Sequence, residues 1–216
     1  DVEGLARQIT NTLQLFFIVM IPSALGMVAV ARPLYVLFYR DMDWLGIRLL
    51  QISSLLAIML GLFTVLAAIL QGLFNNRLAI QEMLIGLAVK VIVQWPMIFF
   101  FNVYGPVLST MLGMTVSSLL MLYSTNRMYN IHVRQTIRRG VGILAFSLIM
   151  CAVCYLIVNA STLVINPRSQ FGAAFVLLIA VGVGVLIYVY LILKTRLADL
   201  IIGERISRLR DILHIR

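Results

Sequence analysis

The stretch LAVKVIVQWPMIFFF, residues 87–101, is apolar enough to lie inside a membrane, yet it carries a lysine, a glutamine and a proline. A charge at the centre of a bilayer costs roughly 2.5–3.5 kcal/mol on the insertion scale. Either Lys90 reaches water or something in the protein offsets that cost. The apolar run extends beyond the quoted residues to 83–103. A span needs about 20 such residues at about 1.5 Å rise each, so the run predicts a membrane-crossing helix.

Working outward, the same criterion picks five more runs, at 12–31, 49–70, 107–126, 141–160 and 171–193. Of the 216 residues, 62% are hydrophobic and 12% charged. The mean hydropathy is +1.04. A soluble domain averages about 25% charged residues, so the composition alone places the chain among integral membrane proteins. The expected fold is all-α, with six transmembrane helices over residues 1–193 and a cytoplasmic tail over 194–216. Tyr104, Gly105 and Pro106 lie between two runs as a tight turn, which predicts an antiparallel hairpin of the third and fourth helices.

A net charge of +9 raises the question of nucleic acid. The positions of the charges answer it. With the N-terminus cytoplasmic, twelve of the seventeen Lys and Arg fall on the inside, in segments 1–11, 71–82, 127–140 and 194–216. Arg32, Arg40, Arg48 and Arg168 fall outside, and Lys90 lies within a span. This is the positive-inside pattern, with both ends cytoplasmic. Orientation therefore accounts for the basic balance, no nucleic-acid partner is expected, and membrane lipids are the expected surroundings. In the tail, Ile202, Ile206, Leu209 and Leu213 share one helical face, while Glu204, Arg205, Arg208 and Asp211 take the other. That spacing predicts an amphipathic helix on the inner membrane surface.

The chain begins at Asp1 with no basic start and no small-residue cleavage site, so residues 1–11 are not a signal peptide. The expectation is a fragment whose N-terminus lies upstream. Cys151 and Cys154 sit in an apolar run and read as small buried residues rather than a metal or redox pair. Asn159-Ala160-Ser161 matches a glycosylation sequon of the kind that occurs by chance. The eight acids, two histidines and two cysteines show no metal-ligand spacing, no nucleophile beside a base and no phosphate-binding loop. The reading is of a protein that is not an enzyme and holds no cofactor or metal. All the acids are read as lying outside the spans.

Function then rests on the polar and helix-breaking residues inside the spans. Pro22 and Pro96 each remove a backbone donor, which frees the carbonyls of Ile18 and Ile92. Both are candidate kinks of the sort that transporter helices carry, or static packing kinks. Ser109, Gly113 and Ser117, Ala57 and Gly61, and Ala180 and Gly184 are spaced by four, the pattern of closely packed membrane helices. Glu82, Gly86, Lys90 and Gln94 form one stripe, which should face protein or a wet cavity rather than lipid. Lys90, Gln94, Gln51 and Asn102 are the candidate residues of a substrate pathway. Lys90 lies about 10 Å in from the cytoplasmic end of its span, against a half-thickness of about 15 Å. It can snorkel back to the headgroups, or it can line a cavity and meet an anionic substrate.

Three segments are also familiar: IPSALGMVAVARPLYVLFY (21–39), LLQISSLLAIMLGLFTVLAAILQGLFNNRLA (49–79) and GLAVKVIVQWPMIFFFNVYGPVLST (86–110). Together they resemble the C-terminal half of polysaccharide-biosynthesis flippases, nearest to the MurJ-type, stage V sporulation protein B-like branch. The pattern is a proline-bearing helix with Pro22, a helix ending in Leu70-Gln71-Gly72, and a helix that carries Lys90 and runs into Tyr104-Gly105. The resemblance implies the C-terminal lobe of a 14-helix transporter of the multidrug/oligosaccharidyl-lipid/polysaccharide (MOP) exporter superfamily in the bacterial cytoplasmic membrane. Its implied partners are a lipid-linked saccharide and an N-terminal lobe of the same protein. It also implies that the last two helices form any groove for a lipid tail. A drug or cation antiporter of the same superfamily is the alternative. That reading needs a buried carboxylate, which the spans as drawn do not contain. A non-transporting membrane scaffold would have no need of Lys90, Gln94 and two prolines inside spans.

Overall fold

The computed structural model describes residues 2–131, 133–161 and 170–194. Among them the order is α1 (Val2–Tyr39), α2 (Trp44–Gly72), α3 (Asn76–Phe101), a 3-10 turn (Asn102–Tyr104), α4 (Gly105–Tyr129), α5 (Val133–Ser161) and α6 (Gln170–Lys194). These described residues contain no strand. Within a bilayer each backbone donor and acceptor must be satisfied inside its own element, and a helix does this alone. Among the described residues five stretches are long and apolar enough to cross a membrane, one of which, Asn76–Tyr129, combines α3, the turn and α4. The described residues are thus consistent with an all-α membrane protein. The amphipathic tail expected at 194–216 lies outside the described residues beyond Lys194, which closes α6.

The helices run further than the apolar runs suggest. α1 has 38 residues and contains both Pro22 and Pro33. The sequence reading stopped this run at residue 31, but the helix continues through Pro33 to Tyr39. Neighbouring helices can re-satisfy what a proline frees, so prolines are tolerated in such helices. α3 begins at Asn76 and takes Glu82 into its second turn, where it is 5% exposed. The expectation that every acid lies outside the spans is therefore corrected: Glu82 is a buried carboxyl within a candidate crossing stretch.

Local chemistry fixes the helix ends. Asp43 caps α2, accepting the backbone N–H of Leu45 at 3.0 Å and of Gly46 at 3.2 Å. α2 ends in paired reverse bonds, Asn75 N–H to Leu70 O and Phe74 N–H to Gln71 O, both 3.0 Å. This is a Schellman closure, and the left-handed position belongs to Phe74 at φ 60°. The reversal after α3 is made by the turn at Asn102–Tyr104, with Asn102 at φ 48°. Gly105 already has helical angles, φ −51° and ψ −49°. Its value is steric: a Cβ there would lie 2.6 Å from the Ile98 backbone.

Two compact units divide the chain, and the divisions fall inside α1, α2 and α5. The first unit is Asp1–Phe16 with Ile52–Thr136. Its core gathers Ala6, Ile9 and Leu13 of α1, Leu66 and Leu70 of α2, Ala79 of α3 and Met121 of α4. The second unit is Phe17–Gln51 with Ile137–Arg216. Its core has one cluster around Ala29, Met150, Cys154 and Tyr188, and another around Val30, Val158, Val176 and Ala180.

Candidate functional site

In the second unit, α1, α5 and α6 line an open cavity of about 520 Å³. Pro22, Gly26 and Val30 come from α1, Met150 and Cys154 from α5, and Val181, Gly184 and Tyr188 from α6. The small residues explain why the helices approach so closely. A Cβ on Gly184 would sit 2.6 Å from Cys154 Sγ, and one on Gly26 would sit 3.4 Å from Met150 Cε. Cys154 is buried and its thiol donates to Ala180 O at 3.3 Å. Both cysteines are free, and Cys154 serves as a small packing residue.

The polar atoms in the cavity wall are engaged by the protein itself. Pro22 has no N–H for the Ile18 carbonyl, and Tyr188 donates its hydroxyl to that oxygen at 2.6 Å. Ser23 donates to Val19 O at 2.6 Å. What the cavity presents is hydrocarbon surface, suited to an apolar guest. Gln51 lies near by in sequence terms on α2, but its amide donates to Val28 O at 3.2 Å and joins α2 to α1. It does not line the cavity. Gln170 at the start of α6 caps the Leu37 carbonyl near the end of α1 at 3.0 Å.

In the first unit, α3 and α4 run antiparallel, as their contacts show. Residue numbers rise along α3 as they fall along α4: Glu82 meets Ser124, Gly86 meets Ser117 and Gly113, and Ile98 meets Gly105. Ser109 and Ser117 are 0% and 2% exposed, and Gly113 is buried with them. The small-residue row of α4 is thus the seam on which α3 packs. The polar stripe of α3 enters that seam. Ser117 Oγ donates to the Glu82 backbone carbonyl at 3.0 Å, and Ser124 Oγ donates to Glu82 Oε1. Glu82 Oε2 is buried with no hydrogen-bond partner among the described residues.

Lys90 and Gln94 continue the stripe and are half-buried. The stem of Lys90 lies over Gly113, where a Cβ would come within 2.8 Å of Lys90 Cβ. Asn102 is exposed and ends α3, its N–H bonded to Ile98 O. Pro96 is exposed on α3. The candidates therefore separate: Lys90, Gln94, Asn102 and Pro96 belong to the first unit, Gln51 and Pro22 to the second. Sequence reasoning put Glu82 on the stripe that should face protein, as it does, but outside the span, and it did not find Ser124 or Tyr188. Pro22 signalled that a donor was needed at Ile18, but nothing local could say that Tyr188 would supply it.

The chain is similar to the lipid II flippase MurJ of Bacillus subtilis (strain 168), with 30% identity over 206 residues. The match covers 94% of this chain and 38% of the relative, so the chain spans well under half of that protein's length. The family resemblance read from the three segments is borne out. No protein-family model and no solved structure matches the chain.

Proposed function

We propose that this chain, homologous to the C-terminal part of a MurJ-type lipid II flippase, is one lobe of a membrane transporter that flips a lipid-linked saccharide. The observation that carries the reading is the 206-residue similarity, which extends across 94% of the chain. Features in each unit support it separately. In the second unit, the 520 Å³ cavity between α1 and the last two helices suits the hydrocarbon part of such a substrate. In the first, Lys90 is a half-buried cation with no ion-pair partner among the described residues, suited to an anionic phosphate. Transport follows from alternating access, in which this lobe rocks against a preceding one in the bacterial cytoplasmic membrane, with both ends of the present chain cytoplasmic.

An antiporter of the same superfamily is the second reading, and Glu82 is what favours it. That reading needs a buried carboxyl, and α3 has one.

The test is complementation of a flippase-depleted bacterial strain by the full-length protein. Lys90→Ala and Val181→Trp, which fills the cavity from α6, are expected to abolish growth at normal membrane levels. Normal growth of both variants sinks the assigned roles. Failure of the unaltered protein to complement, together with proton- or sodium-driven cation efflux, selects the antiporter.

A further inference from the structure

The turn from α1 into α2 sets two cations across one seam. Gln51 Nε2 donates to Val28 O at 3.2 Å, and the Tyr35 ring packs so closely on Gly46 that a Cβ there would run into it. Residue numbers therefore fall along α2 as they rise along α1. The same register sets Arg48 opposite Arg32, and Arg48 lies one turn from Trp44 on a common face of α2. All of these residues belong to the second unit.

Arg32 is half-buried, with its guanidinium over the Trp44 ring at 5.4 Å from the centroid. Its Nη2 donates to Met42 Sδ at 3.9 Å, and its Nε is buried with no hydrogen-bond partner among the described residues. A thioether is a weak acceptor on a flexible side chain, which a stronger acceptor can displace. Two carboxylates stand close by in the chain, and both are engaged by backbone. Asp43 accepts the N–H groups of Leu45 and Gly46, and Asp41 accepts that of Met42 at 2.7 Å. Neither pairs with Arg32, Arg40 or Arg48 among the described residues.

The cation–π contact offsets part of the cost of a half-buried charge and leaves the edge of the guanidinium without an anion. Orientation does not account for these arginines, because the charge pattern puts Arg32, Arg40 and Arg48 on the side that the positive-inside bias depletes. The surrounding rings set the depth. Tyr35 and Tyr39 stack at 4.6 Å, and Tyr39 and Trp44 are exposed, which is the arrangement of an aromatic belt at headgroup level.

We propose that the α1–α2 seam is a binding site for the phosphate of an anionic phospholipid, held between Arg32 and Arg48. A phosphate oxygen replaces Met42 Sδ on the Arg32 guanidinium, whose planar fork matches phosphate, and the exposed Arg48 closes on the same group from α2. Trp44 and Tyr39 flank the headgroup where the chains enter the bilayer. The seam lies on the face of α1 turned away from Val30 and Leu34, which line the apolar cavity, so it is a separate site. The assignment does not depend on the cargo.

Native mass spectrometry of the full-length protein in micelles doped with phosphatidylglycerol reads the site as bound lipid. Arg32→Gln and Arg48→Gln are each expected to weaken binding about tenfold, the loss of one charge-assisted contact. Arg32→Lys should recover only part of that loss, because an ammonium has no planar fork. Arg40→Gln removes the same charge from the same turn and should leave binding unchanged. Arg48 is exposed, so its variant keeps the test open if Arg32→Gln does not fold. Unchanged binding in both glutamine variants overturns the proposal. An equal loss in Arg40→Gln also overturns it, by assigning the effect to diffuse surface charge. So does equal binding of a diacylglycerol with the same chains, or displacement of the lipid by inorganic phosphate at equal concentration.

Discussion

Tyr188 donates its hydroxyl to the carbonyl oxygen of Ile18 at 2.6 Å, at the point where Pro22 deprives that carbonyl of its helical donor. The two residues stand 170 apart in sequence. The bond thus closes the gap in α1 with a side chain from α6, on the wall of the apolar cavity. Tyr188→Phe should cost about 1–3 kcal/mol, the penalty for a buried acceptor left unmade. Pro22→Ala restores the N–H, so the same tyrosine change in that background should cost less. A double-mutant cycle by denaturant unfolding in mixed micelles measures the difference. Equal costs in both backgrounds refute the link between Tyr188 and the proline.

At the α3–α4 seam, Gly86→Ala places a methyl group into Ser117 Oγ and 2.6 Å from the Gly113 carbonyl oxygen. Gly113→Ala brings its own methyl group within 2.7 Å of the Gly86 carbonyl. Each should destabilise by about 1–3 kcal/mol through overpacking. The double variant should lose less than the sum, because one separation of the helices relieves both clashes. Unfolding midpoints of the three variants decide it, and strict additivity counts against the shared contact.

Phe74 is 93% exposed and holds a left-handed backbone at φ 60°. For a residue with a Cβ that conformation costs roughly 1–2 kcal/mol. Phe74→Gly should therefore raise stability by about 1 kcal/mol while the Asn75–Leu70 closure persists. A thermal melt that falls on this substitution shows that the ring makes a contact worth more than the strain.

Asp43 supplies both of its oxygens to the start of α2. Asp43→Ala should cost about 1 kcal/mol, and Asp43→Asn considerably less, since asparagine caps nearly as well. Amide hydrogen exchange at Leu45 and Gly46 localises the effect. Equal exchange in wild type and alanine variant rules the cap out as the source.

Much of the helical layout was legible because the bilayer makes apolar length a direct signal of a helix. The runs that contain Gln94 and Met121 needed no tertiary information. The α3–α4 hairpin was legible too, through Gly105 and Pro106, although the turn itself is made by the three residues before them. Arg32 misled, since a charge closes the first apolar run at residue 31 while the helix continues through Pro33 to Tyr39. Glu82 misled for a related reason. As a charged residue it marks the edge of an apolar run, so its stripe was expected to face protein while the residue itself was left outside the span that buries it against α4. The partner of the Ile18 carbonyl was not legible at all, because a hydrogen bond across 170 residues leaves no periodicity to read.

The pairing of Glu82 with Ser124 bears on how the chain enters a membrane during synthesis. Released into the bilayer alone, α3 would present a carboxyl group to hydrocarbon. Only after α4 has emerged is the Ser124 hydroxyl at hand to receive it. Joined by three turn residues, the two helices are suited to leave the insertion machinery as one hairpin. A pause in translation between them would strand the first half at the point where it is least soluble in lipid.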